Sequence, residues 1–277
     1  MCPFGGSLFG GSGPPWTTHE MVAHCLVIES SAGLVLVDTG FGTDDVKHPK
    51  RLGQPFRAAT RPRVSLEDTA LSRIAALGLD PADVRHIVLT HLDVDHAGGL
   101  GDFPDAEVHV HRDEHAIAMN PPLRQSPRYI QPQWEHGPRW ELYAPGGDEW
   151  FGLESVRVVP GTDEEVLLIP TAGHSRGHSA VAVRHDGRWF LHCGDAYFHH
   201  AEVETPPSCP RGLHVFQNLT AYDHKARLAN QERLRELRRA HGAEVDLFCS
   251  HDPHDLARFN GRSGGGESEG ASADARA

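Results

Sequence analysis

Short apolar runs bounded by glycine, proline and serine recur along this chain, with helical spacing in between. Residues 23–29 and 34–37 are two such runs divided by Ser30-Ser31-Ala32-Gly33, which predicts a β-hairpin. Ser65 starts a helix, with Asp68 at the reciprocal position of a capping box. Leu66, Ala70, Ile74 and Leu77 keep its spacing, and Gly78 ends it. Asp80-Pro81 makes a turn, and His86-Ile87-Val88-Leu89 reads as a strand. A strand over 106–111 and a helix over 112–119 follow. Residues 120–152 break the pattern with many prolines and with Trp134, Trp140 and Trp150. So long a segment without periodicity implies a functional loop, and its aromatics argue against disorder. Strands resume at 156–159, 165–169, 179–184 and 189–192; a helix covers 222–241, and a last strand covers 245–249.

Each half of this pattern is strand-rich and ends in a helix and a strand that delivers a histidine, as two similar α/β halves packed face to face would require. Residues 1–20 read as an irregular arm, 21–261 as the folded domain, and 262–277, almost free of apolar side chains, as a disordered tail. A chain of 277 residues can bury a substantial core. Its formal charge of -12 disfavours nucleic acid as a partner, since phosphate binding needs clustered Lys and Arg. No apolar run is long enough for a bilayer, and residues 1–16 lack the grammar of a signal peptide, so no membrane association is expected. Five scattered cysteines without a CxxC pair argue against a disulfide framework or a thiolate site and fit a reducing cytoplasm.

The chemistry concentrates in Thr90-His91-Leu92-Asp93-Val94-Asp95-His96, directly after a strand and before Gly98-Gly99. Two imidazoles and two carboxylates in six positions suit a metal ion; with 21 histidines in the chain, the alternative is a histidine-rich polar loop. Partners downstream favour the metal: Gly173-His174-Ser175-Arg176-Gly177-His178 between strands, Cys193-Gly194-Asp195 past one strand and Ser250-His251 past the last. All lie at strand ends, where loops project into a shared crevice.

This ordered set resembles the metallo-β-lactamase superfamily, whose signature is His-x-His-x-Asp-His, then a Gly-His loop, an Asp and a His. The resemblance spans about residues 24–255 and takes in the turn Asp38-Thr39-Gly40. It implies a four-layered αβ/βα sandwich with a two-metal site at one edge. One ion would take His91, Asp93 and His174, the other Asp95, His96 and His251, with Asp195 bridging. Zinc is the first expectation, with iron or manganese as alternatives. Such a pair would generate hydroxide near neutral pH and polarise the bond it attacks, with Asp95 orienting the hydroxide or shuttling its proton.

One position departs from the signature: Asp93 stands for its second histidine. With three carboxylates and one hydroxide, two divalent ions would make a neutral set, one unit less positive than the all-histidine version, and the extra oxygen donor tilts preference toward iron or manganese. His178 is expected to support rather than bind metal, Asp38 to brace the loops, and Asp252, His254 and Asp255 to orient His251. Tyr197, His199 and His200 are candidates for a catalytic role, lactone-hydrolysing members of the resembled family having a substrate-contacting tyrosine near here. The tryptophan segment is a candidate wall or lid, with Arg124, Arg128 and Arg139 available to a substrate carboxylate; a packed loop or a homodimer contact is its alternative. The leading function is hydrolysis of a small ester, lactone or thioester. An iron-dependent redox enzyme and a metal-binding sensor are the alternatives, and the acidic balance disfavours a nuclease.

Overall fold

Leu34 and Leu36 join one buried cluster and Val35 and Val37 another, although they alternate on one strand. That alternation, repeated strand by strand, builds the layers. In a computed structural model, which describes residues 1–260 except Ser12, Pro145 and Asp163, β1 (Leu26–Ser30), β2 (Gly33–Val37), β3 (Val84–Val88), β4 (Glu107–His111) and β5 (Arg139–Tyr143) lie side by side in that order. The β1–β2 hairpin is antiparallel and the other pairings are parallel. Helices α1 (Thr43–Lys47), α2 (Gln54–Thr60), α3 (Ala70–Ala76) and α4 (Arg112–Met119) accompany this sheet. A two-strand ribbon, β6 (Glu149–Trp150) and β7 (Leu153–Glu154), leads to the second half. There β8 (Val156–Val158), β9 (Val166–Pro170), β10 (Ser179–His185), β11 (Arg188–His192) and β12 (Val245–Phe248) form a second sheet in the spatial order β12-β11-β10-β9-β8. Helices α5 (Arg211–Thr220), α6 (His224–His241) and α7 (Pro253–Asn260) complete it.

Three clusters hold the layers. Val35, Val37 and Val88 meet Val166, Leu168, Val181 and Val183 between the sheets. Leu36, Ile87, Leu89, Val108 and Val110 pack outward on Ile74 of α3 and Ile117 of α4. Ile169, Ala182, Leu191 and Leu247 pack outward on Leu234 and Leu237 of α6. The result is the expected αβ/βα sandwich.

Several local expectations change. Leu66–Asp68 is a 3-10 turn, and α3 starts at Ala70 with Thr69 as its cap: the Ser72 N–H donates to Thr69 Oγ1 at 3.3 Å. Ser65 spends its hydroxyl on the Asp68 side chain instead. The segment at 120–152 contains a parallel edge strand, β5, which its Arg, Glu and Tyr content conceals. Trp134 and Trp150 are buried in the two outer clusters and serve as core. α5 was not anticipated, and α6 begins at His224, where Asp223 accepts from the Ala226 N–H. The tail expected at 262–277 lies outside the described residues. Among the described residues, no helix is long and apolar enough to cross a membrane.

Candidate metal centre

Loops after β3, β9, β11 and β12 converge and bring all seven candidate residues into one cluster, with Asp38 from the loop after β2 behind it. Asp195 is at its middle. Its Oδ2 faces His174 Nε2 at 3.3 Å and His91 Nε2 at 3.9 Å, while its Oδ1 faces His251 Nε2 at 3.1 Å and His96 Nε2 at 3.3 Å. Asp95 Oδ2 lies 3.5 Å from His251 Nε2 and 3.9 Å from His96 Nε2. Two groups of donors result, His91–His174–Asp195 and Asp95–His96–His251, each with its ligand atoms within 4.8 Å of one another.

The rings of His91, His96 and His251 are oriented from behind, His91 through Thr90 Oγ1 at 2.9 Å from its Nδ1, while His174 Nδ1 has no such partner among the described residues. Asp38 accepts from the Thr90 N–H at 2.8 Å and the Thr90 hydroxyl at 2.7 Å, and meets His96 Nδ1 at 2.8 Å. Burial alone would raise this carboxyl, yet the His96 ring holds it at about 2. Asp38 also adopts φ +53°, a left-handed conformation that non-glycine residues rarely take and that asparagine and aspartate tolerate best. His251 Nδ1 donates to the Val22 carbonyl at 2.7 Å, so this carbonyl sets its ring rather than Asp252, His254 or Asp255. Asp252 instead accepts from His200, and Asp255 from the Cys249 N–H. His178 supports the centre: its Nε2 accepts the Asp195 N–H at 2.9 Å. Gly194 makes that approach possible, since a Cβ there would stand 2.6 Å from His178 Nε2 at φ +52°.

Glu114 escaped the sequence reading. Fully buried on α4, it accepts from the Leu92 N–H, the Gly177 N–H and the hydroxyls of Ser175 and Tyr129, and so ties the His91 loop to the His174 loop. Its place on the face that also buries Ile117 and Ala118 was the available signal: a carboxylate on an apolar helical stripe has to have partners.

Asp93 is near His174 Nε2 at 3.0 Å and His91 Nε2 at 3.5 Å, but it is also gripped by Arg128. Nε donates to Oδ1 at 2.8 Å and Nη2 to Oδ2 at 2.6 Å, a bidentate pair. Desolvation opposes the charge on Asp93, but Arg128 and His91 hold its pKa well below the ordinary range. The arginine thus meets a carboxylate of its own chain, and it restores the positive unit that exchanging imidazole for carboxylate removes. Burial, then Arg128, lowers His174 to about 4.

The cluster forms the floor of a cavity of about 270 Å³. Asp95, Asp195, His174 and His251 line it below; Phe56, Ala59, Phe198, Phe216 and Leu219 line its sides. Arg124 reaches it, while the tryptophans and Tyr197 do not. Tyr197 is buried in the second sheet's outer cluster, and its neighbour Phe198 turns to the cavity and stacks on His251 with centroids 4.9 Å apart.

The residues fit a cation. Nε2 of His91 and of His96 and Oδ1 of Asp195 are buried without a well-directed hydrogen-bond partner. With Nδ1 of His96 and of His251 engaged behind, each Nε2 points at the Asp195 carboxylate across about 3 Å, and only a proton or a cation can sit favourably between ring and carboxylate there.

Comparison with known proteins identifies the family. The model of the metallo-beta-lactamase superfamily matches residues 20–251. A probable metallo-hydrolase of Mycobacterium tuberculosis is 40% identical over 261 residues, covering 89% of this chain and 84% of that protein. The N-acyl homoserine lactonase AttM of Agrobacterium fabrum is 28% identical over 167 residues, 60% of this chain and 61% of that protein. Among solved structures, an N-acyl homoserine lactone hydrolase with N-hexanoyl-L-homoserine at its metal centre superposes with a TM-score of 0.69 at 22% identity, over 93% of this chain and 92% of that one. On the family match and the 40% relative, the chain belongs to the metallo-beta-lactamase superfamily and is a metallo-hydrolase.

Proposed function

We propose that this enzyme hydrolyses a small lactone or ester bearing an apolar acyl group, using divalent metal, zinc foremost, held by His91, His174, Asp195, Asp95, His96 and His251. The observation that carries this reading is the cavity: a floor of imidazoles and carboxylates under walls of Phe56, Phe198, Phe216 and Leu219. Apolar walls stabilise an acyl chain in proportion to the area they cover, about 25 cal/mol per Å². Relatives named as N-acyl homoserine lactonases support the lactone class.

Metal held at this cluster would supply a Lewis acid and lower the pKa of a water used as nucleophile. The chain's own residues do the rest. Asp95 is at the cavity floor with one oxygen toward His251, placed to take a proton from the attacking water and return it to the leaving alkoxide. Phe198 and Phe216 keep bulk water off the acyl side. Phe198 carries no hydroxyl, so a phenol does not polarise the carbonyl from that position. The iron-dependent redox alternative leaned on Asp93 as an extra oxygen donor, and both its oxygens are taken by Arg128.

Hydrolysis of N-acyl homoserine lactones and matched alkyl esters of increasing acyl length tests this, with zinc-loaded protein and a pH indicator. The expected result is kcat/KM rising about 3-fold or more per added methylene pair until the cavity is filled, from about 0.8 kcal/mol per buried methylene reduced by incomplete burial. Rates independent of acyl length, or no turnover of either class, would sink the proposal.

A further inference from the structure

Arg128 spends all five of its N–H groups on this chain. Nε and Nη2 hold the two oxygens of Asp93; Nη1 donates to the carbonyls of His174 and Thr220, both at 2.8 Å; and Nη2 also meets His174 Nε2 at 2.6 Å. A guanidinium only donates, so His174 accepts there through the atom that faces Asp195. Of the two imidazole lone pairs that this half of the centre would offer an ion, that of His91 is without a hydrogen-bond partner among the described residues and that of His174 is already engaged, and a fixed positive charge stands beside it. The other half differs. Nδ1 of His96 and of His251 are tied back to Asp38 and to the Val22 carbonyl, which leaves each Nε2 directed at Asp195. Among the described residues, no arginine or lysine pairs with Asp95 or Asp195.

We propose that the Asp93–Arg128 pair makes the two halves of the centre unequal. The Asp95–His96–His251 half, sharing Asp195, takes a divalent ion first. The His91–His174 half takes one only when Arg128 is drawn off His174. Asp93 acts here as the anchor of the guanidinium rather than as a ligand on equal terms with the histidines. Arg128 is therefore a positioning residue that sets metal occupancy. The inference rests on the hydrolase reading only in assuming that the cluster binds metal.

Zinc titration of the chelator-stripped full chain against a chromophoric competitor tests it, with cobalt(II) absorption as a second readout. The wild type is expected to take one tight equivalent and a second about 10- to 100-fold weaker, the range by which groups supporting a metal ligand shift affinity. Arg128→Gln frees the His174 lone pair and Asp93, so its second equivalent tightens at least about 10-fold. The double variant Asp93→His with Arg128→Gln restores an imidazole and avoids an unpaired buried carboxylate; it should bind two equivalents tightly. Two equivalents of equal affinity in the wild type overturn the proposal and leave the hydrolase reading standing. So does an unchanged second equivalent in either variant once thermal melting shows it folded. No zinc binding by the wild type overturns both.

Discussion

Asp95→Asn is expected to lower kcat by about 10²- to 10⁴-fold, the usual contribution of a positioned general base. The substitution keeps the shape of the side chain and removes its basicity. Asp95 lines the cavity floor together with Asp195, and its Oδ2 lies 3.5 Å from His251 Nε2, so its carboxylate faces the space where the attacking water is proposed to stand. Asp95 also belongs to one group of candidate ligands, so the variant has to be read with its metal content. Retained metal with lost kcat assigns the loss to proton transfer. Lost metal assigns it to ligation. A kcat within 2-fold of the wild type would remove Asp95 from the mechanism.

Glu114→Ala should be the most damaging substitution away from the cavity. It strands two backbone N–H groups, of Leu92 and Gly177, and the hydroxyls of Ser175 and Tyr129, in a place without solvent. At about 1–3 kcal/mol for each buried group left unsatisfied, and with partial relaxation, the expected loss of stability is about 3–5 kcal/mol. Glu114→Gln should recover little of it, because its NH2 would face the donors of Ser175 and Gly177. Urea unfolding measures both. A loss under about 1 kcal/mol would show that the two loops hold their geometry without this carboxylate.

The legible parts of the site were those written in contiguous motifs. His91, Asp95, His96, His174, Asp195 and His251 each follow an apolar run, and strands with such ends bring their loops to one edge. Asp38 was legible as a brace because it closes a strand in the same way. Pairings between distant segments were not legible. Arg128 stands 35 positions from Asp93 in a stretch without periodicity, and nothing local distinguishes it from Arg124 or Arg139. A carboxylate replacing a ligand histidine beside two other carboxylates does call for a countercharge, which was the physical clue. β5 stayed hidden for another reason. At a sheet edge its side chains are mostly exposed or half-buried, so Arg139-Trp140-Glu141-Leu142-Tyr143 lacks an apolar signature. Tyr197 misled in the opposite direction, since the polypeptide turns Phe198 to the cavity and its neighbour to the core.

The account depends on a cation joining the lone pairs around Asp195. Elemental analysis of protein purified without added metal, with Asp195→Ala prepared alongside, tests this most directly. The account predicts at least one equivalent of divalent metal per chain, zinc foremost, and its loss in Asp195→Ala together with turnover. A wild-type protein that holds no metal and takes up none from zinc, manganese or iron(II) would contradict it.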